Sequence, residues 1–426
     1  MNTTAENLKR HLSYLTEKIG VRLAGSPAER QAAEYIAAEF RKYAPRVTIE
    51  EFPVNERCVT SEKLEVEIDG VYREFPASLF SSASTTDGKF VEAELVTFDL
   101  ASGYQRKDFT HLTGKAVIHL GCHLENENDY RRLMEAKPAF ILFVDVRYTG
   151  TIPLADGLFP AYAAKYGACP CLDVAYMDAW KWVQSGAKKA RICVTGGSRK
   201  SQTTVVVCEI PGTDPDSGVI YAGGHHDTQA GTVGADDNAI GSAAVIEMAR
   251  ILSQTPHRKT FRLCSFGAEE QLSLGSASYV RAHRSEIEKN GVFMCNFDSM
   301  GSALGWNVFT TSIDDALRAK LYAVFNGNDL YFTENTAPDP YTDQFPFAAA
   351  KVPGIHIGRK NCTAGIYYHH RRDNDMSVIG FDVAATLVET AAQFVAEIAD
   401  ETGRYHLDAA QQREIDRLFN AVYGGF

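Results

Sequence analysis

From about residue 203 the chain alternates short apolar runs with longer helical ones, and this alternation limits the fold more than any other feature. Strand-like runs cover Thr204–Ile210, Gly218–Ala222, Thr260–Phe266, Val292–Phe297 and Gly354–Ile357. Helical patterns cover Ala239–Leu252, Gly275–Lys289, Ile313–Phe325 and Val383–Ala399. Such alternation predicts an α/β domain with a largely parallel sheet and helices on both faces. Ligands of such sheets bind at the carboxyl ends of the strands. His225, Glu269, Glu270 and Asp298 each come at or just after the end of an apolar run. Agreement between separate loops weighs more than any one of them.

The chemistry is densest in Gly223–Glu247, GGHHDTQAGTVGADDNAIGSAAVIE. His225 and His226 are adjacent, so on an extended backbone their rings point opposite ways and one is the candidate ligand. Asp227, two residues on from His225, is placed to accept from the ring's other nitrogen. Asp236-Asp237 sits in Gly-Ala-Asp-Asp-Asn before a helical run. One carboxylate there can bridge metals while the other supports it, or the pair can simply cap the helix. Glu269-Glu270 follows a buried strand, where adjacent acids are costly without a cation. One can hold metal while its neighbour acts as general base. Tyr368, His369, His370 and Asp373 place a phenol, imidazoles and a carboxylate in one loop. Imidazoles and carboxylates together suit a divalent cation such as zinc.

The preceding region, 55–198, has a different character: short strand-like runs and no histidine or acid cluster with convincing metal spacing. His119 and His123 flank Cys122 but read as a strand end and a loop. Cys169-Pro-Cys171 has the wrong spacing for a thioredoxin-type motif and reads as a loop. Gly114–Ile118, a helix at Asp129–Ala136 and Ala139–Val144 form a small βαβ pattern. The expected division is a discontinuous domain, 1–54 with 199–426, interrupted after its first strand by a compact insert over 55–198. In the first segment, Ser26 before Pro27 predicts an N-cap with proline at the first helical position. After 400 an appended helix is expected, with apolar positions at Leu407, Ile415, Leu418 and Phe419.

The formal net charge of -11 argues against a nucleic-acid surface. No run is long and apolar enough to span a membrane. The first twenty residues lack an apolar signal region, and the nine cysteines are scattered. These features read as a cytoplasmic protein with reduced thiols.

The ordered motifs His-x-Asp (His225, Asp227), Gly-Ala-Asp-Asp-Asn, Glu-Glu, Asp298 and Tyr-His-x-x-x-Asp resemble the co-catalytic zinc peptidases. That family is typified by bacterial leucyl aminopeptidases and includes glutamate carboxypeptidase and the glutaminyl cyclases. The resemblance covers Val21-Arg-Leu-Ala-Gly-Ser-Pro and residues from about 200 to 400. It implies a three-layer zinc-peptidase fold with a mixed, mainly parallel sheet, and two zinc ions. It assigns Asp236 as the bridging ligand, His225 with Asp298 to one zinc, and Glu270 with His369 to the other. Glu269 matches the general base, Asp227 the residue orienting His225, and Tyr368 a phenol that stabilises the oxyanion. It further implies a cis peptide at Asp236–Asp237. The insert resembles a protease-associated domain. The chain departs from the pattern at His226, at His370 where relatives carry serine or threonine, and at Arg371 and Arg372.

The implied activity is exopeptidase action on peptides, first as an aminopeptidase. A carboxypeptidase or dipeptidase comes second, then a glutaminyl cyclase or a metal-binding relative without turnover. Arg371 and Arg372 are the discriminating residues, because an arginine aimed into the site would suit a substrate carboxylate.

Overall fold

The computed structural model describes residues 3–98, 105–121, 124, 126–153, 155–362, 365–407 and 409–424. Cys122 and His123 lie outside the described residues. The strands, in chain order, begin with β1 (Arg46–Arg57), which opens the first sheet. Next come β2 (Ser61–Ile68), β3 (Val71–Phe75), β4 (Ala77–Leu79), β5 (Val91–Phe98), β6 (Ala116–Leu120), β7 (Phe140–Val144), β8 (Cys171–Val174) and β9 (Lys189–Thr195). The remainder are β10 (Ser198–Ile210), β11 (Val219–His225), β12 (Thr260–Phe266), β13 (Gly291–Phe297), β14 (Trp306–Ser312), β15 (Phe332–Asn335) and β16 (Gly354–Lys360).

Two compact units result. The first comprises Met1–Asn55, Ser201–His369 and Asp373–Phe426; the second comprises Glu56–Lys200 with His370–Arg372. Assignment of residues 370–372 to the second unit departs from the expected division, which kept the whole of 199–426 together. No helix among the described residues is long and apolar enough to cross a membrane.

The first unit is built on an eight-stranded sheet, ordered β1-β10-β12-β11-β13-β16-β14-β15. Its centre, β12-β11-β13-β16, is parallel, and the antiparallel neighbours β10 and β14 flank it. The centre is buried on both faces, which explains why β11 and β13 read as nearly unbroken apolar runs. Helices Thr4–Ser13, Ile240–Leu252 and Phe381–Asp400 cover one face, burying Leu8, Ile246, Phe293 and Phe394. On the other face Tyr221, Phe266, Tyr279 and Phe347 pack together from the sheet and the helices Leu274–Asn290 and Gln344–Ala349. The appended helix, Ala409–Tyr423, buries Ile415 and Phe419 against Phe345. Strands β14 and β15 escaped the sequence pattern. Trp306 is exposed and β15 is an edge strand of only four residues, so neither shows a long apolar run.

Ser26 caps the helix Pro27–Phe40 by accepting from the Glu29 amide at 3.2 Å. The helix Ile240–Leu252 begins hard against the ends of β11 and β13. A Cβ on Gly224 would meet the Phe297 carbonyl at 2.7 Å, and one on Gly241 would meet the same oxygen at 2.3 Å. Glycine at both positions lets the helix start next to the strand ends, which brings the intervening loop, with Asp236 and Asp237, over the edge of the sheet.

The second unit has its own eight-stranded sheet, ordered β3-β2-β9-β5-β6-β7-β8-β4. Strands β5 through β8 are parallel, and the helix Glu127–Glu135 links β6 to β7. His119 is buried with its ring 5.3 Å from Phe98 and 5.0 Å from Phe143, centre to centre. Burial pushes its imidazole down to about 4. Cys169 and Cys171 lie with their sulfurs 3.8 Å apart, Cys171 wholly buried.

Candidate metal centre

Each functional side chain leaves from the carboxyl edge of the parallel strands. His225 is the last residue of β11, Asp298 follows β13 directly, and Glu269 and Glu270 follow β12 within four residues. Tyr368 and His369 come from the loop after β16. Parallel pairing of these four strands puts their outgoing loops at one edge.

His225 is completely buried. Its Nε2 lies 3.0 Å from an Asp237 oxygen, 3.7 Å from Glu269 and 3.7 Å from Asp298. Nδ1 faces Asp227 Oδ1 at 3.3 Å. Burial alone would lower this imidazole's pKa. The carboxylates of Glu269 and Asp298, then Asp227 and Asp237, outweigh it and hold it well above the ordinary value. The second oxygen of Asp237 lies 3.1 Å from His369 Nε2. One carboxylate thus stands between two imidazoles.

That carboxylate belongs to Asp237, where the resemblance had put Asp236. Asp236 instead accepts from the Gly301 amide at 2.6 Å and from the Tyr368 hydroxyl at 3.4 Å, while its own amide donates to Asn374 Oδ1 at 2.8 Å. Burial is the main cause that pushes its carboxyl up to about 7. The cis peptide is likewise one residue later than expected, at Asp237–Asn238. Asn238 fixes the turn: its amide nitrogen donates to the Phe297 carbonyl at 2.8 Å, and its oxygen accepts from the Gly241 amide at 2.9 Å.

Asp227 is fully buried and accepts from the backbone amides of Glu269 and Glu270, at 3.0 and 3.2 Å. A single carboxylate therefore sets both the His225 ring and the turn carrying the two glutamates. Glu270 is held by the Gln229 amide at 3.2 Å. Glu269 accepts from Ser273 Oγ at 3.2 Å. Burial, with the field of Asp343, Asp298 and Glu270 and against the pull of His225, raises the Glu269 carboxyl well above the ordinary range. Tyr368 is also raised, chiefly by burial, so its phenol remains a donor.

His226 faces away from this cluster. Its ring nitrogens meet Ser265 Oγ at 3.0 Å and Thr204 Oγ1 at 3.2 Å, with Glu29 at 3.3 Å. It therefore ties the end of β11 to β12 and, beyond it, β10, and leaves His225 as the candidate ligand of the pair. Arg371 is buried, with its guanidinium near Asp145 and the Tyr148 carbonyl of the second unit, while Arg372 is exposed. Sequence reasoning passed over Asp343, Gln229 and Arg22. Asp343 is wholly buried, and its carboxyl is pushed up to about 7, mainly by burial. Only its place in a short polar loop was visible beforehand.

The donor set fits a divalent cation. Donor atoms of His225, Asp237 and Glu270 all lie within 4.8 Å of one another. Nitrogen–oxygen separations of 3.0 to 3.7 Å around one buried imidazole suit donors converging on an ion with bonds of about 2.0–2.2 Å. Several carboxylates buried this closely are expensive without a cation between them.

Residues 205–395 match the family model for peptidase family M28. The match covers somewhat under half of the chain. Beyond it, the chain is similar to Aminopeptidase YwaD of Bacillus subtilis, 28% identical over 295 residues, which cover 68% of this chain and 61% of that protein. An aminopeptidase of Pseudomonas aeruginosa is 25% identical over 330 residues, covering 70% and 58%. The chain thus spans about three fifths of the length of these curated relatives. Mouse carboxypeptidase Q is 30% identical over 199 residues, covering 45% of this chain and 41% of that protein. Among solved structures, a zinc aminopeptidase from Bacillus subtilis superposes with a TM-score of 0.76 at 20% identity, covering 93% of this chain and 95% of the other. A peptidase M28 precursor from Shewanella amazonensis gives 0.78 at 19% identity, covering 95% and 97%. These two likenesses carry the fold: the M28 stretch lies in a mixed α/β architecture with a mainly parallel sheet.

Proposed function

We propose that the chain is a zinc-dependent aminopeptidase with two metal positions that share Asp237. The observation that carries this reading is one carboxylate set between two imidazoles, 3.0 Å from His225 and 3.1 Å from His369. On this reading His225 and Asp298 would hold one ion and His369 and Glu270 the other, with Asp237 common to both. The names of the Bacillus and Pseudomonas relatives support amino-end specificity.

Zinc, when bound, supplies Lewis-acid polarisation of the scissile carbonyl and acidifies water. The protein's own residues do the rest. Glu269 takes the proton of the attacking water and hands it to the departing amine, a task suited to a carboxyl whose proton affinity is raised by burial above the ordinary range. Asp227 keeps His225 and the Glu269–Glu270 turn in register. The Tyr368 hydroxyl is the donor for the developing oxyanion. The excess of carboxylates around His225 favours a substrate with a free α-ammonium group.

Carboxypeptidase action is the second reading, and its support is the match to carboxypeptidase Q. It lacks a clamp at the residues that were to decide it, because the Arg371 guanidinium is engaged by Asp145 and Tyr148. The second unit is read as a protease-associated-like insert, and the scattered cysteines as those of a cytoplasmic protein, which cell fractionation tests.

The deciding experiment is a substrate panel run with and without chelator. Free aminoacyl p-nitroanilides should be cleaved, their N-acetyl forms spared, and 1,10-phenanthroline should abolish turnover. Release of a C-terminal amino acid from N-acetyl dipeptides would move the carboxypeptidase reading to first place.

A further inference from the structure

Arg22 is among the largest completely buried side chains of the protein, yet its guanidinium contacts carbonyl oxygens and, among the described residues, forms no ion pair. Nε donates to the His226 carbonyl at 2.7 Å. Nη1 reaches the carbonyls of Gly20 at 2.7 Å, Val233 at 2.9 Å and Leu15 at 3.1 Å, and Nη2 that of Gly234 at 3.5 Å. The Arg22 backbone also pairs with Thr228, donating to its hydroxyl at 3.0 Å and accepting from its amide at 3.1 Å.

These acceptors are not scattered. His226 stands between His225 and Asp227, and Val233 and Gly234 lie in the same loop as Asp236 and Asp237, separated from them by Ala235 alone. One planar group therefore fastens the strand end that carries the imidazole to the loop that carries the shared carboxylate. Arginine suits this task because its five N–H donors point in fixed directions, where lysine offers one rotatable ammonium. Its charge matters as well. Asp227, Glu270 and Asp237 act on it electrostatically and oppose the effect of burial, which lowers its pKa to about 10 and leaves it charged at neutral pH.

We propose that Arg22, from the segment preceding the first long helix, is a positioning residue for the metal centre. It sets the spacing between the His225 and Asp237 loops and supplies a fixed positive charge behind their carboxylates. The inference rests on the two-metal reading above, but its test does not depend on which bond the enzyme cleaves.

The experiment measures zinc affinity of the full chain by competition with a chromogenic chelator, alongside folding by circular dichroism and the thermal midpoint. R22M removes the charge and the donors while keeping length. R22K keeps the charge but not the fork. Partners that orient metal ligands typically change metal affinity by about 10- to 100-fold. R22M should therefore bind zinc at least tenfold more weakly, and R22K should fall between it and the parent. A folded R22M with parental zinc affinity overturns the proposal even if its thermal midpoint drops, since that result marks a purely structural anchor. Should R22M not fold, R22K decides: weakened zinc binding supports the proposal and unchanged affinity refutes it. If the parent chain binds no zinc, the metal reading itself fails, a result distinct from parental binding that the variants leave unaltered.

Discussion

The pair Asp236-Asp237 offers a sharp test, because two neighbouring carboxylates are assigned opposite roles. Asp237→Asn neutralises the group between His225 and His369, 3.0 and 3.1 Å from their nitrogens. The nearest measured analogue is removal of one partner from a buried ion pair, which costs about 3–5 kcal/mol. At about 1.4 kcal/mol per tenfold, zinc binding should weaken by two to more than three orders of magnitude. Asp236→Asn is milder. Its amide oxygen can still accept from Gly301, and its hydrogen bond to Tyr368 survives in altered form. The native carboxyl has a pKa of about 7, so the substitution removes only part of a charge at neutral pH. A loss of about 1–2 kcal/mol in stability, with zinc stoichiometry kept, is expected. The assay is elemental analysis after dialysis against buffered zinc, with chelator competition for affinity. Full zinc binding by Asp237→Asn together with loss of an ion in Asp236→Asn would refute the reasoning and return the bridge to Asp236.

Glu269→Gln should keep zinc and fold but lower kcat by roughly 10²–10⁴-fold; steady-state kinetics at matched zinc content checks it, and near-parental turnover would remove Glu269 as the base. Acid stability should depend on His119, whose folded pKa of about 4 lies below the ordinary 6.5. The unfolded chain then binds the extra proton first, so stability is complete above about pH 6.5 and declines as the pH falls to about 4. The decline amounts to about 3 kcal/mol. His119→Phe should flatten that limb in urea melts followed across pH, and an unchanged slope would exclude His119 as its source. Phe419→Ala should cost about 3–5 kcal/mol if the appended helix is integral to the first unit; an unaltered melting curve would show that it is not.

The order of chemistry along this chain was legible without coordinates, because strand and helix periods are local. A fully buried parallel strand has to be apolar, and the residue that ends it has to be polar if the edge of the sheet is to bind anything. That placed His225, Glu269, Glu270 and Asp298 at one edge, and capping rules placed Ser26 and Pro27. Adjacent identical residues defeated the same reasoning. Nothing local distinguishes Asp236 from Asp237. The choice is made by Gly301 and Asn374, which claim Asp236, and by Asn238 and the Gly224–Gly241 contact, which turn Asp237 towards the imidazoles. Likewise the sequence left open whether Arg371 reads a substrate carboxylate or pairs elsewhere; Asp145 and Tyr148, more than two hundred residues away in sequence, lie against it in the folded chain. Arg22 entered only as part of the segment Val21-Arg-Leu-Ala-Gly-Ser-Pro, with no role of its own, and only the folded chain sets five carbonyl groups around it. Periodicity and residue type therefore decide which loops carry the chemistry. Which of two like neighbours does the work depends on long-range hydrogen bonds and close backbone contacts, and these exist only once distant segments have packed.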